Sequence, residues 1–587
     1  MLKTLTSLTA AALALSLASP LQAASHDAQT IKRDELQQLL KAHGDSVPEN
    51  FDDFLFQVQK EANNDAPKSG IDRYLQGEPL EGADFVNVYR LLGLYTRLNY
   101  GDDVVELLSE MVAIPTSKQG DRPQHENPGI QKFGELIKEK ADDFGLNYRN
   151  VDNRVFEVEL PGSSDEVFGI LTHGDTVPTQ KSWVLDDGTT LDPLQTTLID
   201  GKIYGRGTED DKASIAAALY AMKAIHENDV PLKRTIRLMI ETTEETGGEG
   251  FEYYKEYYKE QNKQESKALP AYNIVLDSGY PAVIAENGFG TIDTYFPIQE
   301  SNSDGPTISD MTGSLATNQI SATASATIED NDPQALSKKL DAQAKDYIKA
   351  NGGDFQVLTE VQNDAVKVTV KGESAHSSKP DDGINPLPRL AGLLAQSDID
   401  FQPNQYTAAI HYIDDNYGLD YHGRKLGVEY SHDFMGPLLI SPTYLESQGD
   451  KLRVAVNVRA PKGETSPEEL ANTIEQKLVN YAKQQDMDMQ VEVKISDWML
   501  RDPQGAWLQT LLNIFGDTTG QKAEPVSSAG STTAKLLPNA INFGPSMPGE
   551  EYTGHTDREF KKQDNLMLDI QMFTEMFARI GNQERLD

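Results

Sequence analysis

The sequence predicts an α/β chain interrupted by a large α+β insertion. From about residue 150, apolar β-branched runs alternate with helical stretches, which is the pattern of an α/β unit. After about residue 293 the pattern shifts to the period-two alternation of antiparallel strands, and the α/β style returns at 498. With 587 residues, the chain has room for more than one structural unit.

Residues 1–23, "MLKTLTSLTAAALALSLASPLQA", place one lysine before an apolar run, then Pro20, then small residues. That order is the signature of a secretory signal peptide, and the run is short for a membrane span. No cysteine follows it, so no lipid anchor is expected, and no later segment is apolar enough to span a bilayer. The mature chain is expected to be soluble, secreted or periplasmic. The full chain's formal net charge of −39 repels nucleic acid and anionic membranes, so neither is an expected partner. The absence of cysteine excludes disulfides and thiolate ligands, leaving His, Asp and Glu to hold any metal.

Residues 24–100 read as a mostly polar, helical N-terminal extension without a catalytic cluster, and a helical pattern continues through "DDVVELLSEMVAIPT". Over 101–292, strands "EVFGILTH", "RTIRLMIET" and "YNIVLDSG" are expected, with the helix "DKASIAAALYAMKAIHEN" between the first two and its apolar residues on one side. The insertion, 293–497, carries strand-like "SATASATI", "VKVTVKG" and "KLRVAVNVRAP" with the helical "PQALSKKLDAQAKDYIKA" between them. Residues 498–587 supply the strand "AINFGPS" and the closing helix "DNLMLDIQMFTEMFARI".

Four apolar strands are expected to end in groups able to bind metal. "FGILTHGD" ends in His173 and Asp175, "LIDGKIYGRGTEDDK" places Asp210 and Asp211 just before a helix, "RLMIETTEET" ends in Glu244 and Glu245, and "YNIVLDSG" in Asp277, while "GHTDREF" adds His555 far downstream. Ligands of open α/β sheets gather beyond the carboxyl ends of strands. Two histidines with several carboxylates suit zinc, with cobalt and manganese as alternatives. A bridging carboxylate holds two ions roughly 3.5 Å apart in two-metal hydrolases, and a further carboxylate takes the proton of the attacking water. Each piece alone has an ordinary explanation: a Glu-Glu pair is usually solvated surface, and "GRGTEDDK" reads as a Gly turn before an Asp-capped helix. It is the ordered set that argues for a metal site.

The series "HGDTVP", "YGRGTEDDK", "TEET", "VLDSGYP", "GESAHSSKPDDGINP" and "GHTDREF" resembles the zinc peptidase family of carnosinases, bacterial dipeptidases, aminoacylases and glutamate carboxypeptidases, from about residue 100 to the C-terminus. The resemblance implies a zinc-peptidase catalytic domain, a mixed sheet flanked by helices, with the insertion as an α+β lid. It implies that His173 and Asp277 bind one ion, Glu245 and His555 the other, and Asp210 both. Glu244 becomes the general base and Asp175 the residue that orients His173. His376 stabilises the oxyanion, Arg459 grips a substrate carboxylate, and Gly530, Ser531 and Thr532 form a substrate loop. The chain departs from the family pattern at Thr243, where Asp is common, and at Ala213, where Gly is common.

A lid of about 205 positions points to the dipeptidase and carnosinase branches. The implied function is hydrolysis of dipeptides or other small amides with two divalent ions, by a monomer or homodimer. The nearest alternative is an aminoacylase, deacetylase or carboxypeptidase with the same metal site. A remoter one is a non-catalytic binding protein on the same fold, against which the full ligand set and Glu244 argue.

Overall fold

The computed structural model describes residues 30–586 except 45, 62–65, 186, 266–268, 300–304 and 314–315. The expected signal peptide therefore lies outside the described residues. A nine-stranded mixed sheet forms the centre of the larger unit. Val167–His173 pairs in parallel with Thr235–Glu241 on one side and Tyr272–Val275 on the other, and Ala540–Asn542 continues the parallel set. Antiparallel strands, among them Asn147–Val151 and Val155–Leu160, complete one flank.

The central strands are uniformly apolar because both faces are covered. Phe168 and Ile170 face a core shared with the helices Gly82–Val112, Lys212–Glu227 and Gln563–Asn582. Leu171, with the opposite side-chain direction, meets Phe251, Tyr254 and Tyr258 of the helix Glu249–Glu265.

Three expectations are corrected. Lys212–Glu227 is buried nearly all round rather than on one side, since it lies between the sheet and two other helices. Its alanine-rich run "AAALYA" permits that close packing. The N-terminal helices do not stop at residue 100: Gly82–Val112 runs straight through it. Phe51, Phe54, Leu55 and Val58 join the main core, and buried Arg90 pairs with Asp517 at 2.7 Å and Glu575 at 3.1 Å.

The inserted unit also begins earlier than 293. Gly288–Pro297 is already a strand of its four-stranded sheet, paired with Lys451–Ala460 and with Gln490–Ile495. The chain re-enters the main sheet at Met499–Leu500. The two crossing segments touch at Gly288, where a Cβ would lie 2.2 Å from the Ser496 carbonyl oxygen. The unit has its own core, built on a second four-stranded antiparallel sheet and helices that include Pro333–Asn351 and Pro386–Ala395. Among the described residues no helix is long and apolar enough to cross a membrane.

Candidate active site

Three parallel neighbours deliver side chains to one end of the sheet. His173 closes its strand in register with Glu241, Glu244 and Glu245 follow in the turn Glu244–Thr246, and Asp277 lies just past Tyr272–Val275. Asp210 lies just before a helix, as expected, but not at the end of a strand of the main sheet. The strand before it, Lys202–Tyr204, belongs to a separate three-stranded sheet, and Asp210 sits in the turn that opens Lys212–Glu227. Glu559 fixes this turn. Its Oε1 accepts the amides of Gly207, Glu209 and Asp210 at 3.0, 2.9 and 3.1 Å, and its Oε2 accepts from Arg206 at 2.6 Å. Glu559 follows His555 by four residues, so one loop supplies a histidine to the site and holds the turn that presents Asp210.

The carboxylate of Asp210 is divided between two groups. Its Oδ1 is 2.8 Å from His173 Nε2, and its Oδ2 is 3.1 Å from His555 Nε2. His173 Nε2 also lies 3.7 Å from Asp277 Oδ1, and His555 Nε2 lies 2.9 Å from Glu245 Oε1. Ligand atoms of His173, Glu244 and Asp277 fall within 4.8 Å of one another, and so do those of Asp210, Glu245 and His555. Glu244 thus falls in the first group and its neighbour Glu245 in the second. His555 is held at φ 66°, a conformation uncommon outside glycine and one that concentrates at functional sites.

Asp175 acts mainly elsewhere than expected. The closest contact to His173 Nδ1 is the Asp175 backbone carbonyl, at 3.1 Å, with Oδ1 at 3.6 Å. Its carboxylate instead accepts the amides of Glu244 at 3.2 Å and Glu245 at 3.1 Å, fixing the turn that carries both glutamates.

Crowding of buried acids drives the electrostatics. Burial, then Asp277, pushes the Glu244 carboxyl well above its ordinary range, and burial, then Asp210, raises Glu245 to about 7. Burial opposes the charged form of His555, but hydrogen bonds to Asp210 and Glu245 outweigh it and raise it to about 11. Protons here do what cations do better: they neutralise a cluster of oxygen and imidazole donors suited to divalent ions.

The inserted unit brings two further groups. His376 Nδ1 accepts the Ser378 amide at 3.2 Å and lies 2.7 Å from the Ser378 hydroxyl. An amide only donates, so the ring proton sits on Nε2. Burial, then the charges of Arg459, His555 and Lys379, lower His376 to about 4. It is thus a neutral N–H donor at neutral pH. It keeps an open face to solvent although protein surrounds it, as expected of a residue lining a cleft. Arg459 is buried, with Asn457 Oδ1 at 3.0 Å, the Ser377 hydroxyl at 3.3 Å and the Phe289 ring at 4.9 Å. It has no carboxylate partner among the described residues, and burial lowers it to about 10. An unpaired buried guanidinium is a ready anion site.

Thr532 is turned away from a substrate role: its amide and hydroxyl bind the buried Glu286 at 3.0 and 2.8 Å. The Gly530 amide donates to Ser528 Oγ at 2.9 Å, and Ser531 is half-buried between them. Sequence reasoning missed Glu559 and Tyr552. Both lie within or beside a motif already singled out, but their partners are hundreds of positions away. Tyr552 donates to Asp210 Oδ2 at 2.5 Å.

Two donor groups that meet at the Asp210 carboxylate form a candidate two-cation centre. The chain belongs to peptidase family M20/M25/M40, whose family model matches residues 169–579, more than half of it, and it is accordingly a metallopeptidase. It is similar to the Beta-Ala-Xaa dipeptidase of Lactobacillus delbrueckii subsp. lactis, 27% identical over 83% of this chain and 97% of that protein. It is also similar to the putative dipeptidase YtjP of Bacillus subtilis, 25% identical over 77% of this chain and 91% of that protein. Among solved structures, the di-peptidase Dug1p of Saccharomyces cerevisiae shares the fold, with TM-score 0.52 and 12% identity over 84% of this chain and 99% of that one.

Proposed function

We infer that the chain is a dipeptidase that works with two divalent ions, zinc by its donor set, held by His173 and Asp277 on one side and Glu245 and His555 on the other, with Asp210 shared. The observation that carries this reading is the division of the Asp210 carboxylate between His173 and His555 at 2.8 and 3.1 Å. The ion pair, when bound, supplies a nucleophilic water and polarises the scissile carbonyl. Glu244 takes the proton of the attacking water and hands it to the departing amine. The Nε2–H of His376 donates to the oxygen on which negative charge develops. Arg459 pairs with the substrate's terminal carboxylate, which limits the substrate to a short peptide. The dipeptidase names of the two relatives support the same substrate class.

Residues 1–23 are proposed to direct export and to be removed after Ala23. Mass spectrometry of the native protein tests this, and an intact residue 1–23 segment in a cytosolic fraction contradicts it.

The substrate assignment is tested with the purified protein, supplied with zinc, cobalt or manganese, on dipeptides, tripeptides, dipeptide amides and N-acetyl amino acids. Dipeptides with a free carboxylate are expected to turn over fastest. Equal rates on dipeptides, tripeptides and amides contradict the dipeptidase reading, and preference for N-acetyl amino acids favours an aminoacylase.

A further inference from the structure

Tyr552 lies three residues before His555, on the same loop, and no motif includes it. The residue is 52% exposed overall, but its hydroxyl is buried beside Asp210, Asp277 and Glu245 and donates to Asp210 Oδ2 at 2.5 Å. A hydroxyl turned inward from a partly exposed residue gives up bonds to water, so its bond to a buried carboxylate is a specific contact.

The oxygen chosen matters. Oδ2 is the Asp210 atom that faces His555, while Oδ1 faces His173. A carboxylate oxygen has two lone pairs, so one can take the phenol proton and leave the other for a cation. The contact is therefore compatible with a bound ion, and it lies on one half of the site.

Two features of the loop build this contact. Gly554 has no side chain, and a Cβ there would lie 2.3 Å from the Tyr552 hydroxyl oxygen and 2.4 Å from Cζ. The ring lies in the space a side chain would take. The loop itself is pinned, since Thr553 Oγ1 donates to the Phe560 carbonyl at 3.2 Å and accepts the Phe560 amide at 3.0 Å.

We propose that Tyr552 is a positioning residue for the second cation. Its hydroxyl holds the bridging carboxylate of Asp210 in the orientation that the Glu245–His555 half-site needs, and the bare Gly554 lets it do so. This inference rests on the two-ion reading above. Outer-shell partners of metal ligands typically contribute 10–100-fold to metal affinity.

The test is a zinc titration of the full chain freed of metal, read by competition with a chromogenic chelator. Wild type is expected to bind two ions. Tyr552→Phe is expected to weaken one of them about 10–100-fold and to leave the other within about twofold, a selective loss that a general packing defect does not produce. Gly554→Ala, by displacing the ring, is expected to weaken the same ion. The double variant is expected to lose no more than Tyr552→Phe alone, because both changes remove one contact. Two ions bound by Tyr552→Phe with wild-type or higher affinity overturn the proposal. So do an equal loss of both ions and additive losses in the double variant. A wild type that binds fewer than two ions overturns the two-ion reading itself, and this inference with it.

Discussion

At the scale of single residues, the site separates jobs between adjacent side chains. Glu244 and Glu245 are neighbours in sequence, yet one stands by His173 and Asp277 and the other by Asp210 and His555. Glu244→Gln is expected to keep both ions and to lower kcat at least about a hundredfold, the lower range for acid–base catalysis. Glu245→Gln is expected to weaken ion binding as well. A normal rate in Glu244→Gln removes the base assignment. Arg459 allows function to be separated from stability, because its guanidinium is buried without a carboxylate partner among the described residues. Arg459→Met fills much of the same volume without the charge. It is expected to lower kcat/KM about 10–100-fold, the worth of a charge-assisted bond of roughly 1.5–3 kcal/mol, without lowering Tm. A fall in Tm with unchanged kcat/KM reverses the assignment and makes Arg459 structural. His376→Ala is expected to lower kcat more than it raises KM, since an oxyanion donor acts in the transition state; a change confined to KM contradicts that role. The candidate donor types could be picked out in the sequence because metal chemistry restricts them to His, Asp and Glu in a chain without cysteine. Glu559, Tyr552 and the inward turn of Thr532 were not, since each depends on a partner about 250 to 350 positions away.

At the scale of elements, the sequence marked strand ends well and packing partners poorly. Val167–His173 and Thr235–Glu241 were readable because an apolar run that stops at a charged or polar group is a local signal. That Lys212–Glu227 is wrapped on nearly every side was not readable, since its surroundings come from Gly82–Val112 and Gln563–Asn582, at opposite ends of the chain. The same packing gives the N-terminal helices a structural task. Arg90 is buried against Asp517 and Glu575, and Phe51 and Phe54 sit in the main core. A chain that begins at residue 101 loses those partners and cuts Gly82–Val112 through its middle. Such a fragment is expected to show no cooperative thermal transition and no tight ion binding. A folded, zinc-binding fragment contradicts this account of residues 30–100.

At the scale of the whole molecule, one chain carries the ligands in the main unit and His376 with Arg459 in the inserted unit. We propose that the site is completed within that one chain. Mixing Glu244→Gln chains with His376→Ala chains is expected to restore no activity. Recovery shows His376 acting across a subunit boundary. The boundary of the inserted unit was legible to within a few residues because strand style changes there, while the crossing itself, Glu286 to Gly288, is set by the close approach to Ser496. All of these proposed roles depend on two cations sharing Asp210. The most direct measurement is the number of divalent ions per full chain at saturation, by elemental mass spectrometry, with activity followed as a chelator removes them. The account expects two ions per chain and loss of activity on their removal; one ion or fewer per chain at full activity contradicts it.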